Sequence, residues 1–399
     1  MTLNVLYLAH DLSDPAIRRR VMMLKAGGAT VTVAGFLRDE NRMAGDPQVK
    51  VVVLGETADG RLGQRVAAVV KARLSLASLL SGVARPDVIL ARNLEVLALS
   101  GSTSAQFGGS VPIVYECLDI HRLLLDRGMK GRMLRAAEGF FGRSACLLAT
   151  SSPAFVEHYF KPLSKLDLPI LLLENKVLEL EPTATATKPA PRPPAVGQPW
   201  RIGWFGAIRC RKSFAILSAF AAAMQGRVEV VIRGRVSPKE FPDFEAMVEG
   251  AAHVSFHGTY RNPEDLARIY DEVQFVWAID FFEEGLNSLW LLPNRLYEGA
   301  LHGAVPIALS ATETGRFLAA RQIGLLLDRA DPQALQQRFD ALDGAEYQAL
   351  FDALAATERT QWVTDRSDCQ ALVRQLAALG RAAPAPAGLT IPSPLQSEG

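Results

Sequence analysis

Short apolar runs alternate with amphipathic stretches through the first half of the chain. The apolar runs are NVLYLAH, TVTVAGF, VKVVVLG, DVILAR, PIVYE, CLLATS and PILLLE. Helical patterns lie between them, as in DPAIRRRVMMLKAGG, GQRVAAVVKARLSLASLLSGV and GRMLRAAEGFFGR. Strands that are apolar on both faces and alternate with helices are typical of a parallel sheet covered by helices, so the pattern predicts a Rossmann-like domain over 1–180. Pro15 and Gly27 are start and stop signals for its first helix.

A second series of the same kind predicts another Rossmann-like domain over 200–380. It contains WRIGWFGA, FAILSAFAAAM, VEVVIRG, HVSFHG, PEDLARIYDEV, FVWAID and IGLLLD. The Pro-, Ala- and Thr-rich segment 181–199 predicts a linker, and 381–399 predicts a disordered tail. Open α/β sheets bind ligands at the carboxyl ends of their strands. The predicted fold class is therefore α/β, with two parallel sheets facing an interdomain crevice.

Composition excludes several classes of protein. The 399 residues are 49% hydrophobic and 21% charged, with a formal net charge of +1, which argues against a strongly basic nucleic-acid binder. The four cysteines show no CxxC spacing, so we expect reduced thiols rather than a zinc site or a redox pair. The first residues lack a signal-peptide pattern, and no apolar run reaches the roughly 18 residues of a membrane span. These features predict a cytosolic protein.

The stretch IGWFGAIRCRKS carries a candidate anion site. Gly206 follows an apolar strand, which allows a ligand to approach the backbone closely. Arg209, Arg211 and Lys212 then stand at a predicted helix start, where backbone N–H groups and cationic side chains bind anions. The alternative is a solvated turn with ordinary surface cations.

Glu298 lies in an otherwise apolar run, LLPNRLYEGALHGAVPIAL. A carboxylate in such a run is costly to bury unless it is paired or hydrogen-bonded. One interpretation is a structural ion pair with Arg295, three residues earlier on the same helix. The other is a ligand contact, because the two oxygens of a carboxylate suit a vicinal diol.

These stretches, together with VSFHGTY and DLARIYDEVQFVWAID between them, resemble the GT-B glycosyltransferases. The second half is similar to the retaining family 4 group found in bacterial exopolysaccharide gene sets. The resemblance implies that Arg209 and Lys212 hold the diphosphate of a nucleotide-sugar and that Glu298 accepts hydrogen bonds from both ribose hydroxyls. The family has an arginine where this chain has Ala207. It also has a pair of glutamates eight positions apart; Glu298 matches the second, and Trp290 stands at the place of the first. The nucleotide-sugar site is expected to comprise Gly206, Arg209, Lys212, Asn287, Ser288, Asn294, Leu296 and Glu298.

The candidate catalytic residues lie in the first domain. IVYECLDIH places Glu116, Asp119 and His121 at the end of a predicted strand, where we expect them to face the crevice. Many family members have a histidine directly before the matching aspartate, whereas this chain has Leu118.

A second polar group in the first domain follows its first strand. His10, Asp11 and Asp14 end that strand and are candidates for acceptor contacts. Alternatively, His10 satisfies a loop carbonyl and has only a structural role.

A basic, apolar segment over 121–143 suggests contact with an anionic membrane. It interleaves arginine and lysine with leucine, methionine and phenylalanine. Residues 1–180 carry 22 Lys and Arg against 17 Asp and Glu, a net +5, whereas 181–399 carry 21 against 25, a net −4. The alternative is an ordinary amphipathic helix packed on the sheet.

The predicted function is transfer of a sugar from a nucleotide-sugar to an acceptor hydroxyl, with a lipid-linked oligosaccharide of surface polysaccharide assembly as the acceptor. The resemblance implies retention of anomeric configuration. No D-x-D motif occurs, so no metal is expected, and no cofactor is needed because the nucleotide-sugar is a substrate. The predicted location is cytoplasmic, with peripheral contact to the inner face of the plasma membrane left open. The alternatives are a GT-B sugar-nucleotide epimerase and a catalytically silent GT-B scaffold.

Overall fold

The computed structural model describes residues 2–38, 49–57, 62–181 and 189–380. These residues form two compact units. The first contains 2–174 together with 365–380, and the second contains 175–364. The second unit thus ends earlier than the predicted boundary at 380, because residues 365–380 pack in the first unit.

In the first unit, the described residues form a seven-stranded sheet in the order β3-β2-β1-β4-β5-β6-β7, and every neighbouring pair is parallel. Strands β4 and β5 are buried along their whole length, as their uninterrupted apolar runs predict. The strands are β1 Asn4–Ala9, β2 Thr30–Leu37, β3 Lys50–Glu56, β4 Val88–Arg92, β5 Ile113–Cys117, β6 Ala145–Thr150 and β7 Ile170–Leu172.

The helices of the first unit follow the predicted signals. Helix α1 begins at Pro15 and ends before Gly27, with Asp14 as its N-cap. A β-carbon on Gly27 would lie 2.3 Å from the carbonyl oxygen of Cys369, so this glycine permits the close approach of α14 to α1. A π-helix spans Val156–Ser164. The helices are α1 Pro15–Ala26, α2 Leu62–Leu79, α3 Leu94–Gln106, α4 Arg122–Leu125, α5 Met129–Gly142, α6 Pro153–Phe155 and, at the end of the chain, α14 Arg366–Leu379.

In the second unit, the described residues form a six-stranded parallel sheet in the order β11-β10-β9-β12-β13-β14. A two-stranded parallel sheet pairs β8 with β15. The strands are β8 Val177–Leu178, β9 Trp200–Ile208, β10 Val228–Val236, β11 Val254–Phe256, β12 Phe275–Trp277, β13 Val305–Leu309, β14 Leu325–Leu327 and β15 Val363–Thr364. The helices are α7 Arg211–Ala223, α8 Phe244–Glu249, α9 Leu266–Asp271, α10 Asn294–Leu301, α11 Glu313–Ala319, α12 Pro332–Asp340 and α13 Gly344–Ala355.

Part of the predicted linker 181–199 is packed on the second unit. Arg192 donates hydrogen bonds to the Asp271 carboxylate at 2.7 Å and to the carbonyl of His302 at 3.3 Å. Its own carbonyl accepts a bond from Gln274 Nε2 at 2.9 Å. A proline-rich segment with these contacts is anchored rather than free. Residues 182–188 and the predicted tail 381–399 lie outside the described residues.

The strand order reverses between β1 and β4 in the first sheet and between β9 and β12 in the second. Open α/β sheets bind ligands at the carboxyl edge beside such a reversal, because the connections leave there in opposite directions. The candidate residues of both units follow the strands at these edges, which are therefore the places to test for binding. The expected crevice between the two sheets stays a prediction.

Candidate functional site

The sequence predicted that Gly206 follows the strand, but the structure places it within strand β9. Strand β9 continues to Ile208 because that residue pairs with Val236 of β10. Gly206 has φ +111° and Gly234, its partner on β10, has φ +140°. A β-carbon on Gly234 would lie 1.8 Å from the carbonyl oxygen of Gly206, so only glycine fits at this crossing. The two glycines therefore expose backbone, without a side chain, at one paired position near the carboxyl ends of β9 and β10.

The basic residues after β9 stand at a helix start, as predicted. Cys210 is the N-cap of α7, and its sulfur accepts a bond from the Ser213 backbone at 3.3 Å. Arg211 and Lys212 are therefore in the first turn, where the backbone N–H groups favour negative charge.

Arg209 and Lys212 contact the loop between β12 and α10, which carries aromatic and acidic residues. The Arg209 guanidinium lies 4.5 Å from the ring centre of Phe282, and the Lys212 ammonium lies 4.5 Å from that of Phe281. Lys212 also pairs with Glu284 at 2.6 Å, with both side chains about half exposed. An exposed pair of this kind contributes only about 0–1 kcal/mol, so a more highly charged anion can displace the carboxylate.

Asn287 and Ser288 end this same loop. Both are buried, at 3% and 7% exposure. The Ser288 hydroxyl accepts a hydrogen bond from the backbone of Glu283 at 2.8 Å, which fixes the loop that carries Glu284. The loop that contacts the basic turn thus leads along the chain into α10.

Glu298 stands on α10, which begins at Asn294 after the N-cap residue Pro293. Its carboxylate is 5% exposed. One oxygen accepts a bond from Asn262 Nδ2 at 2.7 Å, and the other accepts one from the Tyr270 hydroxyl at 3.1 Å. These neutral donors stabilise the carboxylate and fix its orientation.

Arg295 makes its own ion pair with Asp280, at 3.6 Å, and donates to the Ile279 carbonyl at 3.0 Å. Asn294 is exposed at the helix start. Leu296 is fully buried in the hydrophobic core of the second unit, so its side chain does not line an open site, contrary to its inclusion in the predicted binding set. The sequence signal for the burial of Leu296 is that it falls on the same face of α10 as other apolar residues, at the helical period of about 3.6 residues.

The tyrosines near Glu298 stay protonated. Burial raises the pKa of Tyr270 well above its ordinary value, and the negative charge of Glu298 raises it further. The pKa of Tyr260 is raised by the same two causes in the same order. The Tyr270 hydroxyl is therefore protonated at physiological pH and can donate to Glu298.

Glu116 is a member of a buried ion-pair network and does not reach the surface. Its carboxylate is fully buried, 2.6 Å from Arg20 Nε and 3.3 Å from Arg92, and it also accepts a bond from the Tyr7 hydroxyl. Burial disfavours its charge, but the two arginines outweigh this and hold the pKa of Glu116 below its ordinary value. The expectation that Glu116 faces a crevice is wrong for this side chain, because its carboxylate is fully buried and bonded to Arg20, Arg92 and Tyr7. The sequence prediction missed Arg20 and Arg92.

His10, Asp11 and Asp14 do come together at the end of β1. His10 Nε2 lies 3.7 Å from Asp14, which also lies 3.6 Å from Arg92, and Asp11 lies 3.7 Å from Arg38. Burial, with the charges of Arg92 and Arg38, lowers the pKa of His10 to about 3. The ring is therefore neutral at physiological pH, and its Nδ1 has no hydrogen-bond partner within the described residues.

His121 and Asp119 follow β5 at the same edge. His121 is the N-cap of α4, and its Nδ1 accepts a bond from the Leu123 backbone at 3.2 Å. Burial lowers the pKa of His121, and the charges of Arg65 and Arg122 lower it further. In the neutral ring the proton is therefore on Nε2, which leaves a donor for a ligand.

No group of three or more His, Cys, Asp or Glu side chains able to hold a metal ion occurs in the described part of the chain. Metal independence stays a prediction. In the same residues, no helix combines the length and apolar character that crossing a membrane requires.

The two parallel sheets, each with a reversed strand order, define the GT-B fold of glycosyltransferases. Sucrose-phosphate synthase from Thermosynechococcus elongatus is similar over 94% of this chain and 98% of its own, with a TM-score of 0.69 and 16% identity. Anabaena HepE, solved in complex with UDP and glucose, covers 94% of this chain and 99% of its own, with a TM-score of 0.64 and 14% identity. The predicted fold class is confirmed.

The succinoglycan biosynthesis protein ExoL of Rhizobium meliloti (strain 1021) is 56% identical to this chain over 384 residues, which are 96% of this chain and 95% of ExoL. The chain belongs to the ExoL family. No protein-family model matches it. The resemblance to GT-B glycosyltransferases inferred from the sequence motifs is thereby confirmed.

Proposed function

We propose that the chain transfers a sugar from a nucleotide-sugar to a hydroxyl of a growing, lipid-linked oligosaccharide in the assembly of a succinoglycan-type exopolysaccharide. The observation that carries the proposal is the composition of the carboxyl edge of the second sheet. There Arg209 and Lys212 contact the loop that leads from β12 to α10, and Glu298 stands on α10 with its carboxylate oriented by Asn262 and Tyr270. The solved complex of HepE with UDP-glucose and the name of ExoL support it.

The donor half-site is assigned to the second unit. Arg209 and Lys212 would bind the diphosphate, and Glu298 would accept bonds from the ribose hydroxyls. Cations aimed at the leaving diphosphate stabilise the charge that develops on it, which is a role a metal otherwise fills. We propose a metal-independent, retaining transfer that uses no cofactor.

The acceptor half-site is assigned to the first unit. Neutral His10 and His121 with Asp11, Asp14 and Asp119 offer donors and acceptors to sugar hydroxyls. We propose Asp119 and His121 as the residues that position the attacking hydroxyl. Glu116 would act only by fixing Arg92 beneath them.

The first test is a thermal-shift screen of the full chain against UDP-, GDP- and dTDP-sugars. A ligand that binds only the folded state raises its stability by mass action, so the correct donor raises the melting temperature in proportion to the logarithm of its concentration. No shift with any member of the panel would contradict the assignment of the donor half-site.

Replacing Lys212 with alanine should weaken binding of the nucleoside diphosphate by about 10- to 100-fold, because a charge-assisted bond contributes roughly 1.5–3 kcal/mol. Binding of the nucleoside alone should change little. Glu284→Gln should tighten diphosphate binding by up to about fivefold, since it releases Lys212 from a half-exposed pair. Calorimetric titration of the wild-type chain and both variants with the nucleoside diphosphate and with the nucleoside measures these affinities.

Arg201 supplies the control for this prediction. It lies at the start of β9 and forms an exposed pair with Glu229 at 2.9 Å. Arg201→Ala removes the same charge far along the strand from the basic turn, and it should leave diphosphate binding unchanged. Equal losses in the two variants, or equal losses for nucleoside and diphosphate, would show that the basic turn is an ordinary solvated surface.

We also propose that the first unit contacts the inner face of the plasma membrane through α5. Glu138 anchors the inner side of this helix, accepting bonds from the hydroxyls of Tyr115, Tyr159 and Ser164 at 2.7, 2.6 and 2.6 Å. The outer side exposes large apolar side chains among basic ones. The exposed apolar residues are Met129, Met133 and Phe140, at 68%, 66% and 63% exposure.

Co-sedimentation with liposomes should therefore rise with the fraction of anionic lipid and fall with salt, because exposed charges are screened beyond a Debye length of about 8 Å at physiological ionic strength. Phe140→Ser should reduce binding by about tenfold, since a large apolar side chain then no longer enters the bilayer. Val196→Ser, which changes a fully exposed residue of the second unit, is the control. Binding that is insensitive to salt and to Phe140 would leave α5 as an ordinary packed helix.

A further inference from the structure

The first unit contains a cavity of about 330 Å³ whose walls are mostly apolar. It lies between helices α2 and α5, beside the start of α3, and extends from the carboxyl edge of the sheet. Val66 and Val70 of α2 form one wall, and Leu134 and Phe141 of α5 form another. This volume is at the lower end of the range of ligand pockets, about 300–1,000 Å³, which are typically apolar with a few placed polar groups.

The polar groups of the cavity are gathered at one end. Asn93 follows β4, and Asp119 and His121 follow the neighbouring β5, so all three stand at the carboxyl edge. Arg65, at the start of α2, lies at this end in an ion pair with Glu95. Helix α5 begins at the edge and runs away from it, so its lining residues Leu134 and Phe141 are deeper. The cavity thus suits a ligand with a polar head and an apolar chain.

The apolar lining is continuous with an apolar strip on the outside of the protein. Val66, Val70 and Leu74 are spaced by four residues on α2, so they share one face, and they are 54%, 53% and 84% exposed. Val66 and Val70 belong to both the cavity wall and the exposed strip. Contiguous apolar surface of this kind marks an interaction site.

The charge of α2 agrees with a lipid surface as the environment of that strip. The helix sequence, LGQRVAAVVKARLSLASL, contains Arg65, Lys71 and Arg73 and no acidic residue. Basic residues beside exposed aliphatic ones favour contact with anionic lipid. A chain that leaves the cavity between α2 and α5 would pass directly from protein into such a surface.

We propose that this cavity binds the first part of the prenyl chain of a lipid-linked acceptor, with the attached head group at Arg65 and Asn93. The proposal rests on the proposed function for the identity of the acceptor, but its test does not require transfer to occur. It assigns the specificity of the first unit to the apolar chain as well as to the sugar.

The test is calorimetric titration of the full chain with farnesyl diphosphate and with inorganic diphosphate, which differ in the prenyl chain. The wild-type chain should bind farnesyl diphosphate at least about tenfold more tightly. Ala137→Leu, which fills the cavity from α5, should abolish this difference. Ala136→Leu changes the neighbouring, exposed alanine outside the cavity and should preserve it.

The melting temperatures of both variants are measured in the same experiment. If Ala137→Leu does not fold, Ala98→Leu fills the cavity from α3, and Ala105→Leu, at an exposed position of α3, is its control. Equal binding of the two diphosphates by the wild-type chain, or unchanged binding after the cavity is filled, would overturn the proposal. Binding of decanoate as tight as that of farnesyl diphosphate would also overturn it, because a general fatty-chain site would then be present. Chain-dependent binding without any sugar transfer would instead leave this site standing and refute the proposed function.

Discussion

Replacing Glu116 with glutamine is expected to lower the free energy of unfolding by about 3–5 kcal/mol. The substitution leaves Arg20, which is 5% exposed, without the carboxylate it pairs with, and leaves Arg92, which is 8% exposed, with Asp14 at 3.6 Å as its remaining carboxylate. An uncompensated buried charge costs more than the ion pair contributes. Urea unfolding of the full chain, followed by circular dichroism, measures the change.

The pH dependence supplies an independent check on the same network. The pKa of Glu116 is held below its ordinary value of 4.5, so its stabilisation is fully present above that pH and is lost as the pH falls through the folded-state pKa. Glu116→Gln should remove this part of the acid-induced loss. Glu229→Gln, which breaks the exposed pair with Arg201, should cost less than about 1 kcal/mol. Similar losses in the two variants would contradict the buried-network account.

Glu298→Gln is expected to weaken nucleotide-sugar binding by roughly 1.5–3 kcal/mol, about 10- to 100-fold, with little change in melting temperature. Glutamine can keep both internal contacts, because its oxygen can accept from Asn262 and its amide can donate to the Tyr270 hydroxyl. What it loses is a second acceptor oxygen for the ribose diol. Titration with the complete donor and with a donor lacking both ribose hydroxyls separates these effects.

The donor without ribose hydroxyls should bind the wild-type chain and the Glu298→Gln variant with nearly equal affinity. Glu283→Gln alters a carboxylate of the neighbouring loop and should leave both affinities unchanged. Tyr270→Phe removes the donor to Glu298 and should weaken binding by less than the change at Glu298 itself. If Glu298→Gln lowers the melting temperature by several degrees and leaves nucleotide affinity intact, Glu298 is a structural residue.

The fold was predictable because its signals are local. Each strand of the two main sheets coincides with an apolar run, and α1 begins and ends at the proline and glycine that mark it. The position of α14 was not predictable, since it depends on packing against Gly27, more than three hundred residues earlier in the chain. The end of β9 likewise depends on pairing with β10, which the apolar pattern of β9 alone does not encode.

The candidate site was predictable only where a motif is contiguous. The sequence predicted that Glu298 has a partner, because a carboxylate in an apolar run is costly to bury alone, but it did not identify Asn262 and Tyr270, which are 36 and 28 residues away. Glu116 was misplaced for the same reason, because its partners Arg20 and Tyr7 are 96 and 109 residues away. A glutamate at the end of a buried strand looks the same in sequence whether it is exposed or paired.

Transfer of a sugar from a nucleotide-sugar to a lipid-linked acceptor can be measured with the purified protein. The most direct measurement incubates the purified full chain with radiolabelled UDP-, GDP- and dTDP-sugars and a lipid extract from an exopolysaccharide-producing cell, and then counts the label in the lipid fraction. We expect one donor to label the lipid fraction, and the Glu298→Gln variant at the same donor concentration to label it at least about tenfold less. Absence of labelled lipid with every donor, together with no nucleotide-sugar binding by the wild-type chain, would contradict the account.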